Sequence, residues 1–220
     1  MKKNVYVSVS TDPVTGYQEI VDYAKEMQGE ADFLHCDIMD GEFVGKTTFD
    51  ENLIKNINSA SLIMLDVHLM VKEPFALIEK YIDVGANFIT VHYESFADKN
   101  ELVKAIKYIK SRGALAGISL KPNTKFKEIK PFVFDIDLIL VMSVEPGASG
   151  QKFMPSTYDK LKEINSFREE NNLNFKISVD GGVSPENSKS LIEHGVDILV
   201  SGSYVYKSSN RKQAIKDLKQ

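Results

Sequence analysis

The chain has 220 residues, enough for one domain with a large core or a closed barrel. Its 27 basic and 31 acidic side chains leave a formal net charge of −4, so no global field draws it to nucleic acid or to an anionic membrane. One cysteine excludes an internal disulfide, which fits a reducing cytoplasm, and no apolar run approaches the roughly 20 residues of a membrane span.

Met1 to Asn4 is too short and too polar for a signal peptide. Val5–Ser10 reads as a strand and Tyr17–Gln28 as a helix. Phe33–Ile38 is a strand, followed by a short helix at Glu51–Asn58. Leu62–Leu69 is a strand, and Phe75–Val84 a helix started near Pro74 and followed by Gly85. Phe88–His92 and Asn100–Arg112 repeat the pattern, the helix ending at Gly113. Leu115–Leu120 precedes a short helix at Phe126–Phe132. Leu138–Met142 precedes a helix at Ser156–Asn171, with Ser156 as its expected N-cap. Lys176–Val179 is followed by Pro185–His194, and Asp197–Val200 by Asn210–Lys219. The basic residues near the end, Lys207, Arg211, Lys212, Lys216 and Lys219, alternate with Asp217 and polar residues as on a solvated helix face.

Strand and helix thus alternate through eight units of roughly 27 residues, the size of a (β/α)8 TIM barrel. A doubly wound sheet is the alternative. Eight regular units over 1–220 without a second domain favour closure. The longest irregular connections, Met39–Asp50, Ser143–Pro155 and Gly181–Ser184, all follow strands. They would therefore lie at the C-terminal face, where barrel active sites sit.

Strand alternation puts His35, Asp37 and Met39 on one face and Cys36 on the other, toward the helix layer. A His–Asp hydrogen bond at a polar strand end would explain that stretch alone. But Asp66, His68 and Met70 share a face in the next strand, and Lys176–Val179 delivers Asp180. Three strand ends bearing His or Asp are hard to explain as core packing. His35, Asp37, His68 and Asp180 together suit one divalent ion, zinc foremost, with Fe(II), Mn or Co also accommodated.

The segments Glu145–Gln151, Asp180–Gly182 and Ser201–Ser203 are glycine-rich loops after the sixth, seventh and eighth strands, and the last opens a short helix. Their backbone N–H groups suit a phosphate, although glycine loops also serve simply as turns. Met39, Met70 and Met142 fall at strand ends, where they fill core or wall a metal pocket. Asp66 points inward below His68 and can orient a neighbour. His92 reads foremost as a satisfied polar group at a strand end, with support of a neighbouring metal ligand as the alternative, and His194 as a charge at a helix C-terminus.

These stretches resemble, in order and over nearly the whole chain, the ribulose-phosphate 3-epimerase family. The resemblance is carried by His35-Cys36-Asp37-Ile38-Met39-Asp40-Gly41, Asp66-Val67-His68-Leu69-Met70, Val91-His92-Tyr93-Glu94, Val141 to Gly147, Val179-Asp180-Gly181-Gly182 and Gly202-Ser203. It implies a metal-dependent enzyme that inverts C3 of a ketose phosphate, foremost D-ribulose 5-phosphate to D-xylulose 5-phosphate. Asp37 and Asp180 would exchange the proton through a metal-stabilised enediolate. The metal ligands it implies are His35, Asp37, His68 and Asp180. The substrate-binding residues it implies are Ser8, His68, Gly147, Ala148, Ser149, Gly150, Asp180, Gly181, Gly182, Gly202 and Ser203. The partner it implies is a small sugar phosphate, and a homo-oligomer is compatible with it. Relatives acting on allulose 6-phosphate share the same ligands and acids. A barrel decarboxylase or aldolase of the phosphate-binding group, and a barrel that only binds a sugar phosphate, are the other readings. The chain departs from the family pattern at Val7, Gly45, Lys46, Lys121, Ala148, Ser149 and Ser178, none of them a ligand or a catalytic acid.

Overall fold

The computed structural model describes residues 4–220; residues 1–3, within the segment judged too polar for a signal peptide, lie outside the described residues. Eight parallel strands close on themselves in chain order, β1 (Tyr6–Ser10), β2 (Phe33–Met39), β3 (Met64–Met70), β4 (Phe88–His92), β5 (Leu115–Leu120), β6 (Leu138–Met142), β7 (Lys176–Asp180) and β8 (Ile198–Ser201). The helices α1 (Tyr17–Met27), α2 (Glu51–Ala60), α3 (Phe75–Asp83), α4 (Lys99–Ser111), α5 (Thr157–Glu170), α6 (Pro185–Glu193), α7 (Ser203–Lys207) and α8 (Arg211–Leu218) lie between or after them. This is the expected (β/α)8 barrel. No helix of the described residues is long and apolar enough to cross a membrane.

Local chemistry sets several boundaries. Asp50 caps α2 by accepting the Asn52 N–H at 3.0 Å, and Asp98 caps α4 from Asn100 at 2.9 Å. Ser156 precedes α5 as expected, but it sits in helical geometry and its side chain caps nothing. His194 ends α6 with its ring Nδ1 2.7 Å from the Ser190 carbonyl, as a C-terminal group should. The helix expected at Phe126–Phe132 is instead two 3-10 turns, Phe126–Glu128 and Lys130–Phe132. Pro131 supplies the reason: it has no N–H for the bond an α-helix would need there, and its ring clashes with the preceding turn.

Alternation along each strand sorts the barrel into an outside and an inside. Leu34, Cys36, Ile38, Leu65, Val67, Ile89, Val91, Ile139 and Val141 face outward into one continuous core with Ile20, Ala24, Ile54, Ile57 and Ile78 of the helices. Each large aliphatic side chain buried there contributes about 1.5–3 kcal/mol. Inside, Phe33, Phe88, Leu138 and Ile198 form one apolar layer, one residue from each even-numbered strand. That layer floors the barrel, and above it polar side chains share the interior with Leu140, Met142 and Val200. The hollow at the opposite, N-terminal mouth, about 590 Å³ and lined by Tyr6, Met64, Leu115 and Phe134, contains none of the clustered His and Asp.

Gly117 shows how tightly the interior is filled. A Cβ there would lie 2.4 Å from Thr90 Oγ1 and 3.1 Å from its Cβ. Gly117→Ala is therefore expected to destabilise by about 1–3 kcal/mol, as overpacked cores do. Adding Thr90→Ala should restore most of that loss in urea unfolding; two independent, additive losses would contradict the packing argument.

Candidate active site

Register places the four chemical groups together. His35 pairs with Asp66 and Asp37 with His68 across β2 and β3, while β1 and β8 bridge from β2 to β7 and its terminal Asp180. Ligand atoms of His35, Asp37, His68 and Asp180 all lie within 4.8 Å of one another. His35 and His68 are fully buried, and Asp180 is the partly open member, its side chain 17% exposed.

The hydrogen-bond network assigns the ring protons. His35 Nδ1 lies 2.7 Å from Asp66 Oδ2, and Ser8 Oγ donates to the same oxygen at 3.1 Å. With Nδ1–H directed at Asp66, the Nε2 lone pair of His35 faces the cluster, 3.2 Å from Asp37 Oδ1 and without a hydrogen bond to any described residue. His68 Nδ1 approaches the same Asp37 oxygen at 3.1 Å. One carboxylate oxygen thus meets two imidazole nitrogens, with a second carboxylate close by. Two neutral nitrogens and two carboxylates suit a borderline divalent ion, so the residues present fit a metal.

The electrostatics point the same way. Burial opposes charge on His35, but Asp66 and Asp37 outweigh it and hold its pKa well above the ordinary value. Burial instead lowers His68. Burial would raise Asp37, yet the adjacent His35 and His68 hold it below the usual carboxylate range. Asp180 is pushed up to about 7, first by burial and then by Asp37. Near neutrality the two carboxyls therefore differ: Asp37 is ionised and Asp180 is poised to carry a proton.

Beside the cluster opens a cleft of about 230 Å³. Met39, Met70 and Met142 line it, as the sequence suggested, together with Gly147, Ala148, Ser149, Gly150, Gly181, Gly182, Gly202 and Ser203. Ser149 Oγ and Ser203 Oγ meet at 3.0 Å, joining the loops after β6 and β8. Ser143 Oγ lies within hydrogen-bond distance of the Asp180 and Gly181 carbonyls, at 2.8 and 2.6 Å. A Cβ on Gly182 would come within 2.6 Å of the Phe153 backbone N, and φ of +63° there also favours glycine.

The two serines of β1 differ in depth. Ser8 is fully buried beneath the cluster against Asp66, whereas Ser10 lines the cleft and donates to Asp37 Oδ2 at 3.2 Å. Both face inward, so alternation could not separate them; they differ in depth by two residues of strand. His92 is also more than a satisfied polar group. Its Nε2 is 2.9 Å from His68 Nε2, and its Nδ1 is 3.0 Å from Glu94 Oε2. Burial pushes His92 down to about 4. Burial would raise Glu94, but His92, Thr124 and the Lys121 N–H hold it down at about 2. Sequence reasoning placed Ser10 second to Ser8 and missed Ser143 and Glu94. The His92-Tyr93-Glu94 spacing at a strand end was the available signal for the last.

A closed eight-stranded barrel with a cluster of two imidazoles and two carboxylates at its C-terminal rim, opening on a cleft of glycine loops, defines a metal-capable (β/α)8 enzyme scaffold. Comparison with known proteins narrows the class. Residues 7–206 match the model of the ribulose-phosphate 3 epimerase family. The chain is 39% identical over 202 residues to the ribulose-phosphate 3-epimerase of Bacillus subtilis, covering 91% of this chain and 90% of that one. It is 37% identical over 196 residues to the chloroplastic ribulose-5-phosphate-3-epimerase of Arabidopsis thaliana, covering 89% of this chain and 69% of that one. Among solved structures, the 3-keto-L-gulonate-6-phosphate decarboxylase of Vibrio cholerae shares the fold at TM-score 0.74 and 15% identity, covering 99% of this chain and 96% of that one. The chain belongs to the ribulose-phosphate 3-epimerase family and is an enzyme of the epimerase type.

The raised pKa of Asp180 has a consequence for the metal-free protein. In the window from the ordinary value of 3.8 to about 7, the folded state holds a proton that the unfolded state has released. Its contribution to stability therefore falls as pH rises through that window. Asp180→Asn should make unfolding free energy fall less steeply between pH 4 and 7, measured by urea titration at several pH values. An unchanged slope would show that Asp180 titrates normally.

Proposed function

We propose that the protein epimerises D-ribulose 5-phosphate to D-xylulose 5-phosphate, inverting C3 by proton exchange between Asp37 and Asp180. The observation that carries this reading is the pair of carboxylates within one His–Asp cluster, in a chain matched to the family over 7–206. Inverting C3 of a ketose requires removal of the proton α to the C2 carbonyl and return of a proton to the opposite face. One ionised and one protonated carboxyl are the groups this needs.

Asp37, ionised and oriented by the Ser10 hydroxyl, takes the proton from C3. Asp180, when it carries the proton, returns one to the other face. Asp37 then ends protonated and Asp180 ionised, which is the starting state for the reverse reaction. His35, Asp37, His68 and Asp180 would hold a divalent ion, zinc foremost, with Fe(II), Mn or Co as alternatives. Bound there, it supplies a Lewis acid for the oxygens on which negative charge develops. Met39, Met70 and Met142 exclude water around the reacting carbon.

The phosphate belongs to the loops of Gly147–Gly150, Gly181–Gly182 and Gly202–Ser203. Backbone N–H groups are the donors there, so Ala148 and Ser149 stand in the loop without removing them. Binding energy from this remote group holds C3 between the two carboxyls.

Asp37→Asn and Asp180→Asn should each lower turnover by at least about 10²-fold in metal-replete protein, the usual scale for a general acid or base. Product formed in heavy water should carry deuterium at C3. Direct return of the substrate's own proton would point to a single base.

Chelation should abolish activity, and Zn²⁺, Fe²⁺, Mn²⁺ or Co²⁺ should restore it. Full turnover by a sample shown to be metal-free would refute the metal centre.

An assay over a panel of ketose phosphates tests the substrate, with ribulose 5-phosphate expected above allulose 6-phosphate. Free ribulose should lose about 10³-fold or more in kcat/KM, because several charge-assisted hydrogen bonds of about 1.5–3 kcal/mol act together on the phosphate. Equal turnover of free and phosphorylated sugar would remove the phosphate assignment and leave the carboxyl pair.

A further inference from the structure

We propose that Lys46 and Asp12 together decide whether the cleft accepts an anionic substrate: the Lys46 ammonium cancels a buried carboxylate in the cleft wall that would otherwise repel a phosphate. The inference rests on the reading of that cleft as a sugar-phosphate site.

Charge around the cleft is one-sided. Asp12, Asp37, Glu145 and Asp180 line it, and among the described residues no lysine, arginine or histidine does. A phosphate monoester carries about −1.5 to −2 at neutral pH, and backbone N–H groups offer it only partial charges. Asp37 and Asp180 belong to the cluster that would hold a divalent ion, and Glu145 is exposed. Asp12 differs from all three: it lies outside the cluster, and its side chain is only 7% exposed. A charge so far from water is screened little. Its ion-pair partner is Lys46, whose ammonium donates to Asp12 Oδ1 from the loop after β2.

Asp12 stands beside the loops assigned to the phosphate. The next residue, Pro13, packs on Gly202, where an added Cβ would lie 3.1 Å from Pro13 Cγ and 3.4 Å from Ser10 Cβ. Asp12, Gly202 and Ser203 share one cleft of only about 230 Å³. A phosphate on those loops therefore lies within range of the Asp12 charge. Lys46 does not line that cleft. It lines a neighbouring hollow of about 280 Å³, to which Asp12 also belongs. Replacing Lys46 thus changes the charge of the cleft wall without changing the side chains that shape it.

Neither loop depends on the pair alone for its place. The Asp12 N–H donates to Ser10 Oγ at 3.1 Å. Next to Lys46, Thr47 pairs with Asp40, the Thr48 N–H donates to the Met39 carbonyl at 3.1 Å, and the Met39 N–H donates to Thr48 Oγ1 at 2.9 Å. A latch and a counter-charge also predict opposite results. If the pair were a latch, losing either partner would do equal harm. If Lys46 acts as a counter-charge, its loss harms binding only while Asp12 remains charged. Lys46 is one of the departures from the family pattern, so the pair is a property of this chain.

The test uses the full, metal-replete chain at about pH 8, where a phosphate monoester is a dianion. Steady-state kinetics with D-ribulose 5-phosphate give KM and kcat, and ³¹P NMR titration with inorganic phosphate reads binding without turnover. Lys46→Met should raise KM and weaken phosphate binding by about 10-fold or more, the scale of one uncompensated charge a few ångströms away, while kcat stays within about twofold. Lys46→Arg should keep the wild-type KM. Asp12→Asn, which retains the N–H to Ser10, should not raise KM. Added to Lys46→Met, it should bring KM back to within about twofold of wild type. The melting temperature of each variant reports whether it folds, and Lys46→Gln replaces Lys46→Met if that one does not. A double variant as weak as Lys46→Met, or Asp12→Asn as weak as Lys46→Met, makes the pair a latch and overturns the inference. Lys46→Met that binds phosphate as well as a phosphate-binding wild type overturns it too. A wild type that binds no phosphate, and turns over ribulose as well as ribulose 5-phosphate, overturns the phosphate site itself and the role of the pair with it.

Discussion

The pairing of β1 with β8, from Tyr6↔Ile198 to Val9↔Ser201, is the interaction on which the site depends. Without it the strands would form an open sheet with β2 and β7 near opposite edges. Closure leaves only β1 and β8 between them and brings Asp180 Oδ2 to 3.8 Å from His35 Nε2. It also hides the hydrogen-bonding edges that an open parallel sheet would expose. The apolar free energy that holds the ring is gathered outside it, between strands and helices. Inside, four apolar side chains floor the barrel. The layers above are therefore free to carry Ser8, Asp66, Thr90, His35, His68 and Asp37, all buried. Polar groups at that depth cost free energy unless they are paired, so their arrangement is what the fold must satisfy.

The pairing is asymmetric, and the asymmetry is useful. Two identical carboxyl groups stand at one rim, yet their surroundings drive them apart. Asp37 faces two imidazoles and the Ser10 hydroxyl, which favour its charge. Asp180 has His35 at 3.8 Å, feels Asp37 nearby, and is kept from ionising easily. A pair separated in this way can hold one proton between them, which is what inversion at a single carbon uses. The imidazoles have partners of their own: His35 Nδ1 lies 2.7 Å from Asp66, and His68 Nε2 lies 2.9 Å from His92.

Much of this was legible from the sequence because parallel strands obey a period of two. Alternation put His35 and Asp37, and likewise His68, on one face and sent Cys36 outward to the helices, where it lies, while Asp180 was legible as the end of a strand. Glycine spacing likewise located the loops of the cleft. What alternation lacks is depth and partners across the fold. Ser8 and Ser10 share a face, and only the stagger of β1 against β2 decides which reaches the cleft. Glu94 finds its partners in Lys121 and Thr124, 27 and 30 residues further along the chain. The same contact shows why lysine at 121 is tolerated: Glu94 uses its backbone N–H, and the side chain turns to Phe43. The helix expected at Phe126–Phe132 failed because one proline outweighed the apolar pattern around it.

The site therefore has two halves with different mechanical footing. The ligand cluster stands on strands, whose ladders and outer core fix side-chain direction to within a rotamer. The cleft stands on loops, held to one another by contacts such as Ser149 with Ser203 and Ser143 with the Gly181 carbonyl. The departures from the family pattern divide along the same line. Gly45, Lys46, Ala148 and Ser149 belong to loops, and Lys46 ties its loop to Asp12 of the first one. Val7 and Ser178 lie on strands, Val7 in β1 facing the outer core and Ser178 in β7 one layer below Asp180, and neither is one of the clustered groups. Under the proposed reaction, changes on the loop half would alter how a sugar phosphate is seated, while the four clustered groups at the rim are all kept. On that reading one barrel could hold its chemistry constant while its loops adjust which ketose phosphate is brought to it.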